Sequence, residues 1–476
     1  MDFFLFRGNI WMGNGRFCDA LIVRRGRIAA LGRQQELYPF AEGCSFVDCG
    51  GRTVIPGFFD ACLCLSAAGS SLPDGAEGLE EACKTWLTAH PRQAKKGAHL
   101  FWRSKGAQLS LQQMDRIWQT APLVLEDIAQ QTCWVNSAAL EQLKRQGISA
   151  NLVSMMSIDE QGDPTGRFWG SACRMVASLI PKPSQLQQKE FFRSWLRQAG
   201  EAGITTVQSI DLVLQTDNKL LPILQQLYRE DHHLPRMQFF IPERQKVRSD
   251  RPKTPEKQPS FSGKLIDFTN MINKRKNGGQ SVVSIESHSK LAELLEYLRQ
   301  HPLPSGNPQR MTLLGCAAAD QRQLQELGNA GLGIIVFPSQ LETSLRACAA
   351  QTGVQLETCC AWRTLSSLGA KIAFGGLDHM TPFEGMQQAV ARKTVTVSGE
   401  SIPSKEALSR EAALEAMTGG PAWTDFQEGY TGGLQAGFRA DLQVLDGDPF
   451  TCPEDQIGQI RPVLVMAGGK ILLRKI

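Results

Sequence analysis

No run of about 18 apolar residues occurs anywhere in the 476-residue chain, so no bilayer-spanning helix is expected. The opening MDFFLFRGNIWMGNG has no long apolar stretch followed by a small-residue cleavage site, which argues against a secretory leader. Charge of one sign is not in excess. Against 47 Asp and Glu stand 51 Lys and Arg, and the formal charge of +4 gives no argument for nucleic acid or a membrane surface as partner. Histidine numbers only seven, which limits the imidazole ligands on offer to a metal. Cysteine is plentiful, but the thirteen are scattered and odd in number, as suits reduced thiols in a cytoplasmic chain. Most of them are expected to act as small buried hydrophobes.

With 42% apolar and 21% charged residues the chain can bury a sizeable core, and its length suits a barrel carrying an attached module. DALIVRRGRIAALG (Asp19 to Gly32) holds two apolar runs around Arg24-Arg25-Gly26-Arg27, a hairpin signal. RADLQVLDGDP (Arg439 to Pro449) and PVLVMAGGKILL (Pro462 to Leu473) give the C-terminal end the same character. Residues 1–52 and 432–476 therefore read as one discontinuous β-sandwich domain.

Residues 53–431 alternate β-like runs with amphipathic stretches such as KLAELLEYLRQ (Lys290 to Gln300). Eight runs serve as expected strands: TVIPGFFDA, APLVLED, ITTVQSI, RMQFFIP, SVVSIES, RMTLLG, GIIVFPS and KIAFGG. HLFW (His99 to Trp102) and KLIDF (Lys264 to Phe268) are strand-like too. Such alternation is what a closed parallel (β/α)8 barrel of TIM type requires. PERQKVRSDRPKTPEKQPSFSG (Pro242 to Gly263) reads as an exposed basic loop, without the interleaved aromatics of a nucleic-acid surface.

Several segments together resemble the amidohydrolase superfamily, particularly its amidohydrolase 3 branch, which includes N-substituted formamide deformylases. GRTVIPGFFDA (Gly51 to Ala61) resembles the approach to the first barrel strand. CWVNSAAL (Cys133 to Leu140), DPTGRF (Asp163 to Phe168) and GITTVQ (Gly203 to Gln208) resemble later landmarks in the expected order. GGLQAGFRADLQVLDGDPF (Gly432 to Phe450) resembles the return to the sandwich. The resemblance implies a distorted barrel whose site lies at the C-terminal strand ends, where one or two divalent metals activate water to attack a non-peptide C–N bond.

The metal-holding positions that the resemblance implies carry other residues here. The first strand of such enzymes ends in Asp-Ala-His-x-His, two imidazoles on one face of the strand; this chain reads Asp60, Ala61, Cys62, Leu63, Cys64. Two thiols alone do not make a hydrolytic zinc site, which needs three protein ligands and a water. Ser284 stands at the fifth-strand histidine, with Glu286 close by, and Leu313 at the sixth. Leu377 stands where an aspartate should follow the eighth strand to manage the proton, with Asp378 one residue late. Gln131 lies in the stretch that replaces Asp-Gly-His-Ser, Gly170 replaces an acidic residue, and Ser287 and His288 replace Gly-Asp.

Two readings follow. In the first, the chain is a divergent, catalytically impaired member that lacks the usual metal centre, needs no cofactor, and binds a small amide-like ligand. It could equally self-associate as a homo-oligomer or pair with an intact homologue. In the second, Cys62, Cys64 and His288 hold zinc or another divalent metal, with Asp378 as the acid/base, and the chain remains a C–N hydrolase. His288 otherwise reads as the start of a helix, and His379 as a loop residue. A cysteine nucleophile at position 62 or 64 would need a base and a lowered thiol pKa. Glu126 and Asp127 could form an acid/base pair or simply close a strand.

Overall fold

The computed structural model describes residues 2–63, 79–89, 99–104, 109–127, 132–146, 155–177, 179, 184–211, 220–242, 260–266, 281–285, 288–349, 358–377, 381–392 and 404–476. The chain divides into two compact units, Met1–Ser66 with Lys189–Ile476, and Ala67–Gln188.

In the first unit both chain ends contribute to one small β-module. The strand Thr53–Pro56 pairs parallel with Asn9–Trp11 and antiparallel with Leu442–Leu445, placing N- and C-terminal segments in one six-stranded sheet. A four-stranded sheet, in the order Arg27–Gly32, Ala20–Arg24, Phe3–Phe6, Ser45–Asp48, faces it. Alternation along the strands explains the pairing: Phe3, Leu5, Leu21 and Val23 from one sheet share a core with Ile10, Val54, Leu442 and Val444 from the other. The hairpin read from Arg24–Arg27 is present. Arg25 and Gly26 both take positive φ (49° and 73°), the twist that a two-residue turn between paired strands requires.

The same unit holds an eight-stranded sheet in which every neighbouring pair is parallel. Its strands are β1 (Phe58–Leu63), β2 (Ile204–Ser209), β3 (Arg236–Pro242), β4 (Ser260–Ile266), β5 (Ser281–Ile285), β6 (Thr312–Gly315), β7 (Gly333–Val336) and β8 (Lys371–Phe374). They follow one another in chain order. The Gly376 N–H donates to the Cys62 carbonyl at 2.9 Å, bringing the end of β8 to the end of β1. Helices between strands bury one stripe each; in His288–Gln300 it is Leu291, Leu294, Leu295 and Leu298, at i, i+3, i+4, i+7.

The strands present two apolar faces. Met237 and Phe239 of β3, Val283 and Ile285 of β5, Ile334 and Val336 of β7, and Ile372 and Phe374 of β8 pack with the helices. Their alternates, Phe240, Val282, Ile335 and Ala373, join Ala61 and Cys62 of β1 in a separate cluster on the opposite, inward face.

Two strand assignments change. APLVLED, expected as the second barrel strand, lies in the other unit as Leu123–Asp127. The KLIDF region supplies the missing member instead, in β4. The basic loop expected over 242–263 therefore stops short of Ser260; residues 243–259 lie outside the described residues. Sequence alone favoured the wrong run because β4 opens Ser-Phe-Ser-Gly behind a Pro- and Lys-rich stretch, while Leu123–Asp127 is uniformly apolar until its last two residues.

The unit Ala67–Gln188 carries a five-stranded sheet in the order Met156–Ile158, Pro164–Trp169, Thr132–Val135, Leu123–Asp127, Leu100–Ser104. Leu123 and Leu125 pack with Trp102 and Trp134 on one face, and Val124 packs with Cys133, Phe168 and Cys173 on the other. Buried Asn136, from the CWVNSAAL segment, has both ends of its amide engaged. Its oxygen accepts from Leu123 N and Ala139 N (both 3.0 Å), and its nitrogen donates to the Trp118 and Ala121 carbonyls (2.6 and 2.8 Å).

At Gly432 the backbone has φ +84°, and an added Cβ would lie 2.8 Å from both Ala422 Cβ and the Thr418 carbonyl oxygen. Gly432→Ala is expected to lower stability by about 2 kcal/mol, read as a fall in the urea midpoint at unchanged slope.

Candidate functional site

The C-terminal ends of the parallel strands form the rim where family resemblance places chemistry. Asp60, fully buried in β1, sets the local geometry there. Its carboxylate accepts from Cys62 N at 3.0 Å, Gly376 N at 3.1 Å and Leu377 N at 2.9 Å. Those bonds tie β1 to the segment that follows β8. The sequence offered Asp60 only as the first letter of a ligand motif; in the fold it is a latch between the first and last strands.

Inside the rim the side chains are mostly apolar. Cys62 is 3% exposed and packs with Ala61, Phe240, Val282, Ile335 and Ala373, with Leu314, Phe337 and Ile210 at the edge of the group. Ser284, half-buried, shares the inward face with Val282, and its register partner on β6 is Leu314. Leu313 packs outward with the helices, so the inward residue at this level of β6 is Leu314. Leu377 is buried with the helix-side core, and its backbone N–H donates to Asp60. Gly170 is an exposed turn with φ +60° between Pro164–Trp169 and the helix Ser171–Ala177. Cys64, Gln131, Glu286 and Asp378 lie outside the described residues, as does His379.

His288 begins its helix, and its Nε2 lies 4.0 Å from Asp320 Oδ2. Asp320 itself caps the helix Gln321–Asn329 by accepting from Gln323 N at 2.8 Å. Of the other histidines, His99 Nδ1 bonds the Leu179 carbonyl and His301 stacks on Tyr297 at 4.5 Å. Among the described residues no three His, Cys, Asp or Glu side chains converge as a metal would require.

Two groups at the rim were not singled out by sequence. Asp211, just past β2, is fully buried and accepts from the Ser209 hydroxyl at 2.6 Å. A short apolar run with one acid after its end carries no signal for that role. Cys316, just past β6, holds φ +88°, and burial pushes its thiol up to about 12, so it is protonated at neutral pH and no nucleophile.

A divalent metal fits the described donors poorly. The described groups there are the Cys62 thiol set among hydrocarbon, the Ser284 hydroxyl, the protonated Cys316 thiol and the buried Asp211 carboxylate that accepts from Ser209, and no three His, Cys, Asp or Glu among the described residues converge as the ligands of a hydrolytic zinc. No helix among the described residues is long and apolar enough to cross a membrane.

The landmark segments, by contrast, carry polar anchors. Thr205, in GITTVQ, donates its hydroxyl to the Phe58 carbonyl at 3.2 Å. Asp441, in the segment Gly432 to Phe450, accepts from Thr431 Oγ1 and Gly468 N, both at 2.7 Å.

Comparison with known proteins agrees with this architecture. YtcJ of Bacillus subtilis (strain 168) is 24% identical over 518 residues, covering 96% of each chain. The N-substituted formamide deformylase of Arthrobacter pascens is 24% identical over 542 residues, covering 95% of this chain and 94% of that one. The crystal structure of a metal-dependent hydrolase from Pyrococcus furiosus superposes with a TM-score of 0.68 at 17% identity, over 95% of this chain and 100% of its own. The amidohydrolase family model matches residues 45–473, nearly the whole length, and the chain belongs to that family.

Proposed function

We propose that this chain is a divergent amidohydrolase whose eight-stranded sheet closes as a TIM-type barrel and whose rim binds a small amide-like ligand without metal-assisted hydrolysis. The observation that carries the reading is the inward face of the strands. Cys62, Phe240, Leu314, Ile335 and Ala373 present carbon and one thiol where a hydrolytic centre needs a ring of imidazole and carboxylate donors. A mostly apolar lining with few polar groups suits a neutral ligand held by shape, and the Ser284 hydroxyl is the polar group that such a ligand would meet on β5.

Full-length protein purified without chelators and examined by elemental analysis is expected to carry well under one divalent ion per chain. Stoichiometric zinc lost on Cys62→Ala with Cys64→Ala would overturn the reading. It would favour the alternative, a C–N hydrolase with a rebuilt site of Cys62, Cys64, His288 and Asp378.

A further inference from the structure

The four-stranded sheet of the small β-module has two edges that are finished differently. Beside Arg27–Gly32 another stretch of chain closes the ladder: Ile28 N donates to the Phe438 carbonyl at 2.9 Å, and Gly437 N to the Ile28 carbonyl at 2.8 Å. The opposite edge is Ser45–Asp48, last in the order of the sheet. Its ladder to Phe3–Phe6 is parallel and free of any bulge. Ser45 N and Cys49 N donate inward, to the Asp2 and Phe6 carbonyls, so the alternation of the strand turns the Phe46 and Asp48 peptide groups outward. The usual protections of an open edge are missing from this strand. It holds no proline or lysine, and its one charge, Asp48, is paired with Arg7.

An aromatic patch borders the edge. Val47 packs into the core between the two sheets, so Phe46 points to the other face, 48% exposed. Its ring meets Phe4 edge-on at 5.4 Å and Tyr38, itself 60% exposed, at 6.0 Å. Phe40, at the end of the same short helix as Tyr38, is exposed too.

We infer that Ser45–Asp48 pairs antiparallel with the same strand of a second copy of this chain, across a two-fold axis at Phe46. Residues opposite each other in an antiparallel ladder share a face, so an axis that keeps both aromatic patches on one side passes through a single residue position. The outward peptide groups restrict that position to Phe46 or Asp48. An axis at Asp48 would set two carboxylates opposite each other, which is unfavourable. At Phe46 each N–H donates to the carbonyl of the other copy, and the two rings lie opposite as an aromatic cross-strand pair. Charge favours the same occupant. Exposed Glu42 stands ahead of the strand, and exposed Arg52 lies past its end, where its Nη1 donates to the Cys49 carbonyl at 3.3 Å. Reversal about the axis brings each Glu42 toward the Arg52 of the other copy, so the edge is complementary to itself. The three exposed rings offer about 300 Å² per copy, against about 800 Å² a side in a standard stable interface. The dimer is therefore a concentration-dependent one.

Sedimentation velocity of the full-length protein from about 1 to about 200 µM is expected to show monomer giving way to dimer within that range. Phe46→Lys sets two ammonium groups opposite each other at the axis and is expected to raise the dissociation constant at least tenfold, on the order of the cross-strand repulsion, with the circular dichroism spectrum unchanged. Phe46→Cys, oxidised with copper phenanthroline and mapped without reduction, is expected to link two copies through position 46, since hydrogen-bonded antiparallel pairs hold their Cα atoms about 5.5 Å apart. A parent that stays monomeric throughout, leaving the edge to a strand of some other protein, would overturn the inference. A dimer as tight in Phe46→Lys as in the parent, or a position-46 link made only to other parts of the chain, would overturn it as well. Sedimentation of the parent decides even where a variant does not fold.

Discussion

Asp60→Ala is expected to lower folding stability by about 4 kcal/mol, read as a large fall in the urea midpoint with the slope unchanged. The parent carboxylate is fully buried and satisfies three backbone donors, on Cys62, Gly376 and Leu377, at 2.9 to 3.1 Å. Alanine removes every acceptor and leaves those N–H groups facing a void that is closed to water. Each stranded donor costs about 1–3 kcal/mol, and local relaxation recovers part of the sum. Asp60→Asn keeps one oxygen but turns an NH2 toward a backbone N–H, so it is expected to fall between parent and alanine. A midpoint for Asp60→Ala indistinguishable from the parent would show that the latch between β1 and the segment after β8 contributes nothing.

Asp60 also shows why the site was only partly legible. Its place in Asp-Ala-Cys-Leu-Cys marks it as part of a ligand motif, but the bonds it accepts from Gly376 and Leu377 reach more than 300 positions along the chain. No local pattern announces such a contact. Strand parity raises a related difficulty. The side-chain period along a strand is two, so a slip of one residue exchanges the two faces. The resemblance points to Leu313 at the metal position on β6, whereas Leu314 is the residue whose register partner is Ser284 and which packs inward. Only the neighbouring strand fixes that choice.

What the sequence did convey was the order of landmarks, because those segments carry buried polar side chains with fixed partners. Asn136 engages four backbone groups, Thr205 bonds to β1, and Asp441 joins the small β-module to the parallel sheet. A buried polar group has few substitutes, since any apolar replacement leaves its partners unpaired. Most strands of the parallel sheet are legible as apolar runs of strand length. The exception, β4, mixes serine and glycine into its first half, and Leu123–Asp127 reads as a strand of the same sheet because two strand-like runs cannot be assigned to different sheets without knowing their partners.

The second large effect is expected at Asp441. Its carboxylate is 2% exposed and forms an ion pair with Arg236 at the start of β3, while accepting from Thr431 Oγ1 and Gly468 N. Arg236 also donates to Thr206 Oγ1 on β2 at 3.0 Å. The half-buried guanidinium of Arg439 adds to the stakes. Burial, and then the charge of Arg236, push it down to about 10, and Asp441 is the first group that opposes the shift. Removing that carboxylate leaves two half-buried cations with one counter-charge fewer between them. Breaking a buried pair from one side typically costs about 3–5 kcal/mol, and Asp441→Ala is expected at the upper end of that range. The double variant Arg236→Met with Asp441→Leu removes both charges together. It is expected to be less destabilised than the sum of its two single variants by about 2 kcal/mol in urea unfolding. Strict additivity of the two single effects would mean that Asp441 acts through Thr431 and Gly468 alone and that the ion pair does not join the β-module to the parallel sheet.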